Sequence, residues 1–399
     1  MRRMVRFEAL DAWRGICALL VVLFHFCFIF ASPLMDARLV ANAYLFVDFF
    51  FVLSGFVVSH AYRDRLHDAE SWVGFVIRRF GRLWPLHAAL LAAFVAFVGL
   101  ANLLPHPDRL ALSWGPGEYS AVAIPLHLML LNAVNLHGMA WNAPSWSIGA
   151  EFYTYLFFGA VCLLARGRLA LVAGVIALAC VVLLACVSPT YMNSTADFGL
   201  FRCMAGFFTG VVAYHVHERL AQAPMRPSVT GTLVEGVTVA LVVLFVVKAG
   251  RGPDAVAAIS LGAPAVFAAA VLVFAREAGQ VSRLLRGAPF AALGRWSYSI
   301  YMGHQIVLMV AVYGVWLANR RFGFGREIEV MIEGHAKTLY DLGGVVPSFA
   351  LLAVILGVVI ALAAFTYSRI EEPARRAFNG YARRREDRIG RAQAPASRA

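Results

Sequence analysis

Long apolar stretches alternate with short polar connections along the whole chain. A helix that crosses a bilayer needs about 20 predominantly apolar residues, and ten stretches meet this requirement: 13–31, 44–62, 85–104, 146–165, 169–187, 199–216, 231–248, 256–275, 296–318 and 345–367. The apolar segment 121–134 is short for a span and contains Pro125 and His127, so we expect it to re-enter the membrane or to lie at its interface. The pattern predicts an all-α, polytopic integral membrane helix bundle of about ten transmembrane helices.

The composition supports this interpretation. Hydrophobic residues make up 61% of the chain, charged residues 15%, and the mean hydropathy is +0.71. A typical globular domain is about 45–50% apolar and about 25% charged, so this chain cannot cover a water-facing surface with polar groups. A basic N-terminus before an apolar stretch also occurs in cleaved signal peptides. Because Arg14 lies inside that stretch and many similar segments follow, we interpret it as a retained first span.

The formal net charge of +12 has a topological explanation. Cytoplasmic loops of membrane proteins are enriched in Lys and Arg. With the N-terminus inside, the cytoplasmic segments carry 25 of these residues and the outer loops eight, so both termini are predicted to be cytoplasmic. The charge therefore does not indicate nucleic acid as a partner. Residues 379–399 are predicted to form a basic, disordered cytoplasmic tail.

Two ionisable residues lie in the first predicted span. An ionisable group at the bilayer centre costs about 2.5–3.5 kcal/mol on insertion scales. Arg14 and His25 are eleven positions apart, which places them on one helix face, about 16 Å apart along the axis. Arg14 alone could be a snorkelling anchor and His25 alone a packed polar residue, but the shared face favours a functional pair.

Other ionisable residues lie at comparable depth in later spans. Asp48 matches the depth of His25, where a carboxylate could orient the imidazole; a helix N-terminal Asp stabilised by the macrodipole is the alternative. Glu151, Arg202 and His304 lie in the fourth, sixth and ninth spans. Together they indicate a polar cavity, and separate structural hydrogen bonds are the alternative.

A basic block precedes the third span. It contains Arg78, Arg79 and Arg82, of which Arg78 and Arg82 share a helix face. Guanidinium groups match phosphate geometry, so the block predicts a site for a phosphorylated ligand. Positive-inside anchoring or contact with anionic lipids is the alternative.

The sequence predicts no metal site. Its six cysteines lie singly in or beside apolar runs, without a C-x-x-C or zinc-like spacing. A haem protein would pair histidines from facing helices, whereas His215 and His217 are two positions apart and point in different directions.

Six short motifs follow one another along the chain. They are Arg14 and His25 with ten residues between them, VDFFFVLSGF (47–56), RRFGRLWP (78–85), PSWSIGAEFYTY (144–155), SYSIYMGH (297–304) and RIEEPARR (369–376). In this order and topology the chain resembles acyltransferase family 3, a group of bacterial integral membrane enzymes. The resemblance covers residues 7–378, which we predict to be one acyltransferase-3-like transmembrane domain in the cytoplasmic (inner) membrane.

The resemblance implies a reaction and a set of site residues. An acyl group, usually acetyl from cytoplasmic acetyl-CoA, would move to a hydroxyl of a glycan or small-molecule acceptor. The implied catalytic residues are His25, Arg14, Asp48 and Glu151, and the implied acyl-CoA ligands are Arg78, Arg79 and Arg82. Further residues expected to contact substrate or to be structural are Ser54, Trp146, Tyr153, Arg202 and His304. Some members carry an extra C-terminal extracytoplasmic domain, which this sequence lacks, so a second catalytic centre is not expected.

The residues and the resemblance agree on one mechanism. The pantetheine arm of acyl-CoA would run along the Arg14–His25 face, and His25 would deprotonate the acceptor with Asp48 or Glu151 orienting it. An acyl-histidine intermediate is an alternative, and the acceptor, acyl length and oligomeric state stay open. The outer loop 319–344 could touch the acceptor or be a plain connector. The rival function is a transporter or flippase for lipid-linked glycans; we see no internal repeat that would favour it.

Overall fold

The computed structural model describes residues 7–115, 117–165, 167–220, 227–332 and 335–393. Its helices in chain order are α1 (Glu8–Cys27), α2 (Arg38–Ala41), α3 (Phe46–Tyr62), α4 (Ala69–Ala101), α5 (Ala123–Leu128), α6 (Trp146–Ala165), α7 (Leu169–Val187), α8 (Gly199–Leu220), α9 (Val229–Lys248), α10 (Ala263–Phe274), α11 (Gln280–Leu285), α12 (Ala288–Phe322), α13 (Val345–Thr366) and α14 (Glu372–Gln393). Short 3₁₀ helices lie at Pro33–Asp36, Ala43–Leu45, Asp108–Leu110, Ala143–Ser145, Tyr191–Asn193 and Ala258–Gly262, and a π-turn, Tyr367–Glu371, joins α13 to α14. Two strands, β1 (Arg326–Ile332) and β2 (His335–Asp341), form an antiparallel hairpin.

A helical membrane bundle is confirmed, with a different count of long helices. In the described part of the chain, nine helices are long and apolar enough to cross a membrane. The predicted span 256–275 is shorter than expected, because only Ala258–Phe274 is helical and its α-helix begins at Ala263. Pro264 has no N–H to donate and is favoured in the first helical turn. Within the described residues, nine long helices and one short one therefore correspond to the ten predicted spans.

The helices differ in how much of their surface is inside the protein. In α3 and its preceding 3₁₀ turn, 78% of the most apolar stretch is buried, against 22% in α7 and 17% in α9. Leu171 and Leu178 of α7 and Leu233 of α9 are exposed. Apolar surfaces of this extent suit contact with lipid rather than with water. α3 is thus the central helix of the bundle, and α7 and α9 lie at its periphery.

Glycines let α3 and α8 pack backbone to backbone. A Cβ atom added at Gly55 would lie 1.8 Å from the carbonyl oxygen of Phe207, and one at Gly210 would lie 1.9 Å from that of Val52. No larger side chain fits at such distances, and small residues at helix crossings are typical of membrane bundles. The two contacts hold the central helix at a fixed position against α8.

The segment 121–134 does not span the membrane. Its helix α5 has six residues, about 9 Å at 1.5 Å per residue. Two carbonyl oxygens at its C-terminal end accept from side chains: the indole N–H of Trp84 donates to Leu128 (2.9 Å), and the hydroxyl of Tyr153 donates to Met129 (3.0 Å). Trp84 and Tyr153 lie well inside α4 and α6. These contacts are what we expect if the segment 121–134 enters the bundle between the two helices.

Helix α14 differs from the disordered tail predicted for residues 379–399. The chain is helical as far as Gln393, and residues 394–399 lie outside the described residues. Glu386 accepts two hydrogen bonds from Arg78 of α4 (2.8 and 2.7 Å), and Ala382 is fully buried. The composition of this segment is typical of disorder, but its ion pairs and small apolar residues hold it against the beginning of α4.

The loop 319–344 contains the β1–β2 hairpin, which is the exception to the all-α prediction among the described residues. The hairpin docks on the chain immediately after α1, where the N–H of Ala31 donates to Tyr340 (2.9 Å) and the N–H of Tyr340 donates to Ile29 (2.8 Å). Tyr340 is buried. The hairpin therefore lies beside the end of the helix that carries His25.

Candidate active site

A cavity of about 560 Å³ lies inside the bundle. α3 lines it from Val47 to Tyr62, a length of about 22 Å at 1.5 Å per residue. The start of α1 and parts of α4, α6, α12 and α14 complete the wall. A cavity that follows nearly all of one membrane helix suits an extended ligand.

Arginines dominate the charge of this cavity. Among the described residues, the arginines that line it are Arg14, Arg65, Arg78, Arg79, Arg82 and Arg375. The acidic side chains in the same lining are Asp11 and Glu151. The excess of guanidinium groups favours an anionic ligand, and phosphate most of all.

Two arginines of the predicted basic block have carboxylate partners. Arg78 forms the bidentate pair with Glu386 of α14 described above. Arg82 pairs with Glu371 of the π-turn, whose carboxylate is fully buried and also accepts from the hydroxyl of Ser299 (2.8 Å). Both arginines are therefore held in place by the C-terminal helices while they line the cavity.

Arg79 is held by aromatic rings. Its guanidinium carbon lies 4.9 Å from the ring centroid of Tyr62 and 5.6 Å from that of Tyr155, and its Nη2 donates to the Tyr62 hydroxyl (3.2 Å). Stacked arginines keep their N–H groups available at the edge of the guanidinium plane. Arg79 is thus suited to bind an anion.

A smaller cavity of about 400 Å³ shares Tyr62, Arg65 and Arg78 with the first. It lies at the α3–α4 connection and also touches Asp68, which caps α4. Hydrogen bonds from the backbone and hydroxyl of Ser71 lower the pKa of Asp68. The two cavities together extend the basic region to the end of the bundle at which α14 lies.

Glu151 and Ser54 meet in the cavity wall. The carboxylate of Glu151 accepts from the hydroxyls of Ser54 (2.6 Å) and Tyr155 (2.5 Å). Arg14 lines the same cavity, and its nearest carboxylate is Asp11 at 3.8 Å. Arg14, Ser54 and Glu151 are therefore brought together by α1, α3 and α6.

His25 has a histidine as its partner, not a carboxylate. Its Nδ1 lies 2.9 Å from the carbonyl oxygen of Val21 and 3.2 Å from Nε2 of His304. His304 is fully buried, and His25 is partly exposed. The ring of His304 lies 6.0 Å from that of Tyr301, which lines the cavity. His25 itself is not among the lining residues, so one aromatic residue and one histidine lie between it and the cavity.

Asp48 does not orient His25, contrary to the prediction from depth. Its carboxylate accepts two hydrogen bonds from Arg202 of α8 (3.0 and 2.8 Å), and both side chains are buried. Arg202 also donates to the carbonyl oxygens of Tyr44 (2.9 Å) and Ser194 (3.1 Å). The side chain of Asp48 therefore faces α8.

Trp146 and Tyr153 lie outside the cavity lining. The guanidinium of Arg202 lies 5.2 Å from the Trp146 ring centroid, and the Tyr153 hydroxyl donates to Met129 in the segment 121–134. In this structure both residues support neighbouring elements. No group of three or more His, Cys, Asp and Glu side chains that could hold a metal ion occurs in the described residues.

Comparison with known proteins identifies the family. The family model described as an acyltransferase domain matches residues 7–367 of this chain. The chain belongs to acyltransferase family 3. It is 28% identical over 363 residues to acyltransferase MdmB of Streptomyces mycarofaciens, covering 82% of this chain and 84% of that protein. It is also 39% identical over 154 residues to "Protein 2 in picA locus" of Rhizobium radiobacter, covering 37% of this chain and 77% of that protein. No solved structure matches the chain significantly.

Membership in acyltransferase family 3 makes the protein an enzyme that transfers acyl groups. This favours catalysis over the transporter or flippase considered from the sequence. Three of the six motifs contribute hydroxyl or guanidinium groups to the cavity that the sequence analysis did not single out. Tyr298 and Tyr301 of SYSIYMGH, Arg375 of RIEEPARR and Tyr155 of PSWSIGAEFYTY line the cavity. Their presence in the motifs was the available signal, although nothing in their spacing indicated a shared cavity.

Proposed function

We propose that this acyltransferase moves an acyl group, in the simplest case acetyl, from acyl-CoA to a hydroxyl of a cell-envelope glycan or similar acceptor. The donor would occupy the arginine-lined cavity, and His25 would be the general base. The observation that carries the proposal is that the cavity runs from a cluster of arginines along α3 to the neighbourhood of the His25–His304 pair.

The basic end of the cavity suits the nucleotide phosphates of acyl-CoA. Arg65, Arg78, Arg79 and Arg375 lie at this end, beside α14 and the end of α3. The positive-inside bias of the loops supports a position of this end on the cytoplasmic side of the inner membrane, the side on which acyl-CoA would be supplied. Since Arg79 is positioned by aromatic rings, its N–H groups can bind phosphate without giving up a carboxylate partner.

The length of the cavity suits the pantetheine arm. The α3 wall is about 22 Å long and ends at Val47 and Phe50, with Tyr301 on the opposing helix. Glu151, Ser54 and Arg14 lie along the way. An extended arm would bring the thioester to Tyr301, the residue whose ring neighbours His304 and, through it, His25.

The transfer step needs one base. The acceptor hydroxyl gives its proton to Nε2 of His25 as its oxygen bonds to the thioester carbonyl carbon. The carbon–sulfur bond then breaks, and His25 returns the proton to the leaving sulfur. The products are the acyl ester and the CoA thiol. General-base assistance of this kind typically contributes about 10²–10⁴-fold to the rate.

The acceptor would approach from the opposite end of the bundle. The β1–β2 hairpin docks there on the chain that follows α1, and His25 lies in the last turn of α1. A polar hairpin beside the base could contact a glycan or a small hydroxylated molecule. MdmB, which matches most of the chain, is named an acyltransferase, and this is consistent with transfer to an acceptor of either kind.

The donor site is tested with purified protein in nanodiscs. Acetyl-CoA binding is measured for wild type, Arg375→Ala and Arg376→Ala. Both arginines pair with Glu372, but Arg375 lines the cavity and Arg376 is exposed outside it. We expect weaker binding in Arg375→Ala and wild-type binding in Arg376→Ala. Equal affinity in all three proteins would argue against a donor in this cavity.

The acceptor is tested in cells. Mass spectrometry compares envelope glycans and small metabolites from cells with and without the protein, and with His25→Ala in its place. A mass difference of one acyl group, lost in the His25 variant, identifies donor chain and acceptor together. A glycan that changes its location but not its mass would support a flippase and contradict the proposal.

A further inference from the structure

α1 and α12 run parallel and are held in a fixed register. A Cβ atom at Gly15 of α1 would lie 2.7 Å from the backbone of Leu293, and one at Gly294 of α12 would lie 2.5 Å from the carbonyl oxygen of Asp11. His25 and His304 are each ten residues further along their helices. Two parallel helices that touch at Gly15 and Gly294 therefore meet again near the two histidines.

Hydrogen bonds determine which nitrogen of His304 carries the proton. Its Nδ1 lies 2.6 Å from the carbonyl oxygen of Tyr301. A carbonyl oxygen can only accept, so Nδ1 of His304 is the donor. The neutral ring then has an acceptor at Nε2. That acceptor faces Nδ1 of His25 at 3.2 Å.

The acceptors around His25 likewise determine which of its nitrogens carries the proton. Its Nδ1 faces two acceptors, the carbonyl oxygen of Val21 at 2.9 Å and Nε2 of His304 at 3.2 Å. Nδ1 therefore carries the proton and donates to both. In the neutral ring this leaves the lone pair on Nε2 of His25, the nitrogen that the transfer step uses.

We infer that His304 is a positioning residue for the general base His25. It fixes the Nδ1–H tautomer and ring orientation of His25, and it accepts from the imidazolium that forms when Nε2 takes the acceptor proton. His304 is fully buried and His25 is partly exposed, so His304 acts through His25 and does not touch the acceptor. A histidine thus takes the role for which the sequence suggested Asp48 or Glu151. The inference rests on the proposed function, because it assigns a role within that reaction.

The kinetic test uses His304→Leu and His304→Gln. Leucine removes the acceptor at Nε2, whereas the glutamine amide oxygen can accept from Nδ1–H of His25. We expect kcat for acyl transfer to fall about 10–100-fold in His304→Leu, as when the orienting partner of a histidine is removed. KM for acetyl-CoA should stay unchanged, and His304→Gln should recover most of kcat.

His215→Leu is the matched control. Nδ1 of His215 also lies 2.9 Å from the carbonyl oxygen four residues earlier, that of Val211, and His215 lines neither cavity described above. Its kcat should equal that of wild type. A wild-type kcat in His304→Leu, or failure of His304→Gln to recover more activity than leucine, would overturn the inference.

A spectroscopic test does not depend on turnover or on the stability of a variant. Nitrogen-15 NMR of histidine-labelled wild type in nanodiscs reports the tautomer of His25, assigned by comparison with His25→Ala. We expect protonated Nδ1 and unprotonated Nε2 on His25. The opposite tautomer would overturn the inference even if the enzyme is active. Absence of CoA release by wild type, together with the expected tautomer, would instead contradict the proposed function.

Discussion

The carboxylate of Asp48 and the guanidinium of Arg202 form a doubly hydrogen-bonded ion pair buried between α3 and α8. α3 is the longest wall of the cavity, and the pair lies next to Val47 at its deep end. Arg202 also donates to Tyr44 and Ser194, which precede α3 and α8. The pair therefore ties the entry points of the two helices together and fixes the cavity wall.

Asp48→Asn should destabilise the protein by about 3–5 kcal/mol, because it leaves the buried Arg202 charge uncompensated. Asp48→Leu combined with Arg202→Met removes both charges. The double variant should lose less stability than the sum of its single variants, by about 0.5–3 kcal/mol. Thermal unfolding in detergent measures these differences. An unchanged unfolding temperature with abolished transfer would instead favour the catalytic role that the sequence implied for Asp48.

Hydropathy suggests at what depth a residue lies, but it does not show which helix the side chain faces. Span positions follow from hydropathy, so Asp48, His25 and His304 could be placed at similar levels of the membrane. Which helix each side chain faces depends on the packing order of the bundle. His25 and His304 are 279 residues apart in the chain, and no spacing rule connects them. The Asp48–His25 pairing failed for this reason.

The polar cavity was predicted only in part: of the residues that the sequence grouped in it, Glu151 lines the cavity, whereas Asp48, Arg202 and His304 do not. Arg14, Ser54, Glu151 and the basic block were chosen from the sequence, and all of them line one cavity. The contribution of α14 was missed, since a basic, polar segment has the composition of a disordered tail. Its order depends on Arg78 and Glu386, two residues more than 300 positions apart, and composition carries no such information.

His25→Ala should reduce acyl transfer by about 10²–10⁴-fold, the usual contribution of a general base, while acetyl-CoA binding is retained. Binding should persist because His25 is not among the residues that line the donor cavity. Initial rates of CoA release and equilibrium binding are the two measurements. His215→Ala, which removes a histidine with the same backbone hydrogen bond, should leave both unchanged. Full activity in His25→Ala would exclude His25 as the base.

Arg79→Gln should raise KM for acetyl-CoA about 10–100-fold, since a hydrogen bond to a charged group contributes about 1.5–3 kcal/mol. The free energy of unfolding should change little, because the contacts of Arg79 are with neutral groups, the rings of Tyr62 and Tyr155 and the Tyr62 hydroxyl. Its removal therefore leaves no buried carboxylate among these contacts without a cation. Arg82→Gln should also lower the unfolding temperature, because it leaves the buried carboxylate of Glu371 without its cation. Steady-state kinetics and thermal unfolding of both variants separate the two effects. An unchanged KM in both variants would reject this region as the donor site.

Gly210→Ala should destabilise the bundle by about 1–3 kcal/mol, the usual effect of forcing extra volume into a packed interior. The new methyl group would lie 1.9 Å from the carbonyl oxygen of Val52, so α8 must move away from α3. Since α3 lines the donor cavity, we also expect a higher KM for acetyl-CoA. Gly357→Ala is the control: Gly357 is a mid-helix glycine on the exposed face of α13, with no atom within 4 Å of the added Cβ. If Gly210→Ala and Gly357→Ala unfold at the same temperature and bind donor equally, the close approach of α3 and α8 does not position the cavity wall.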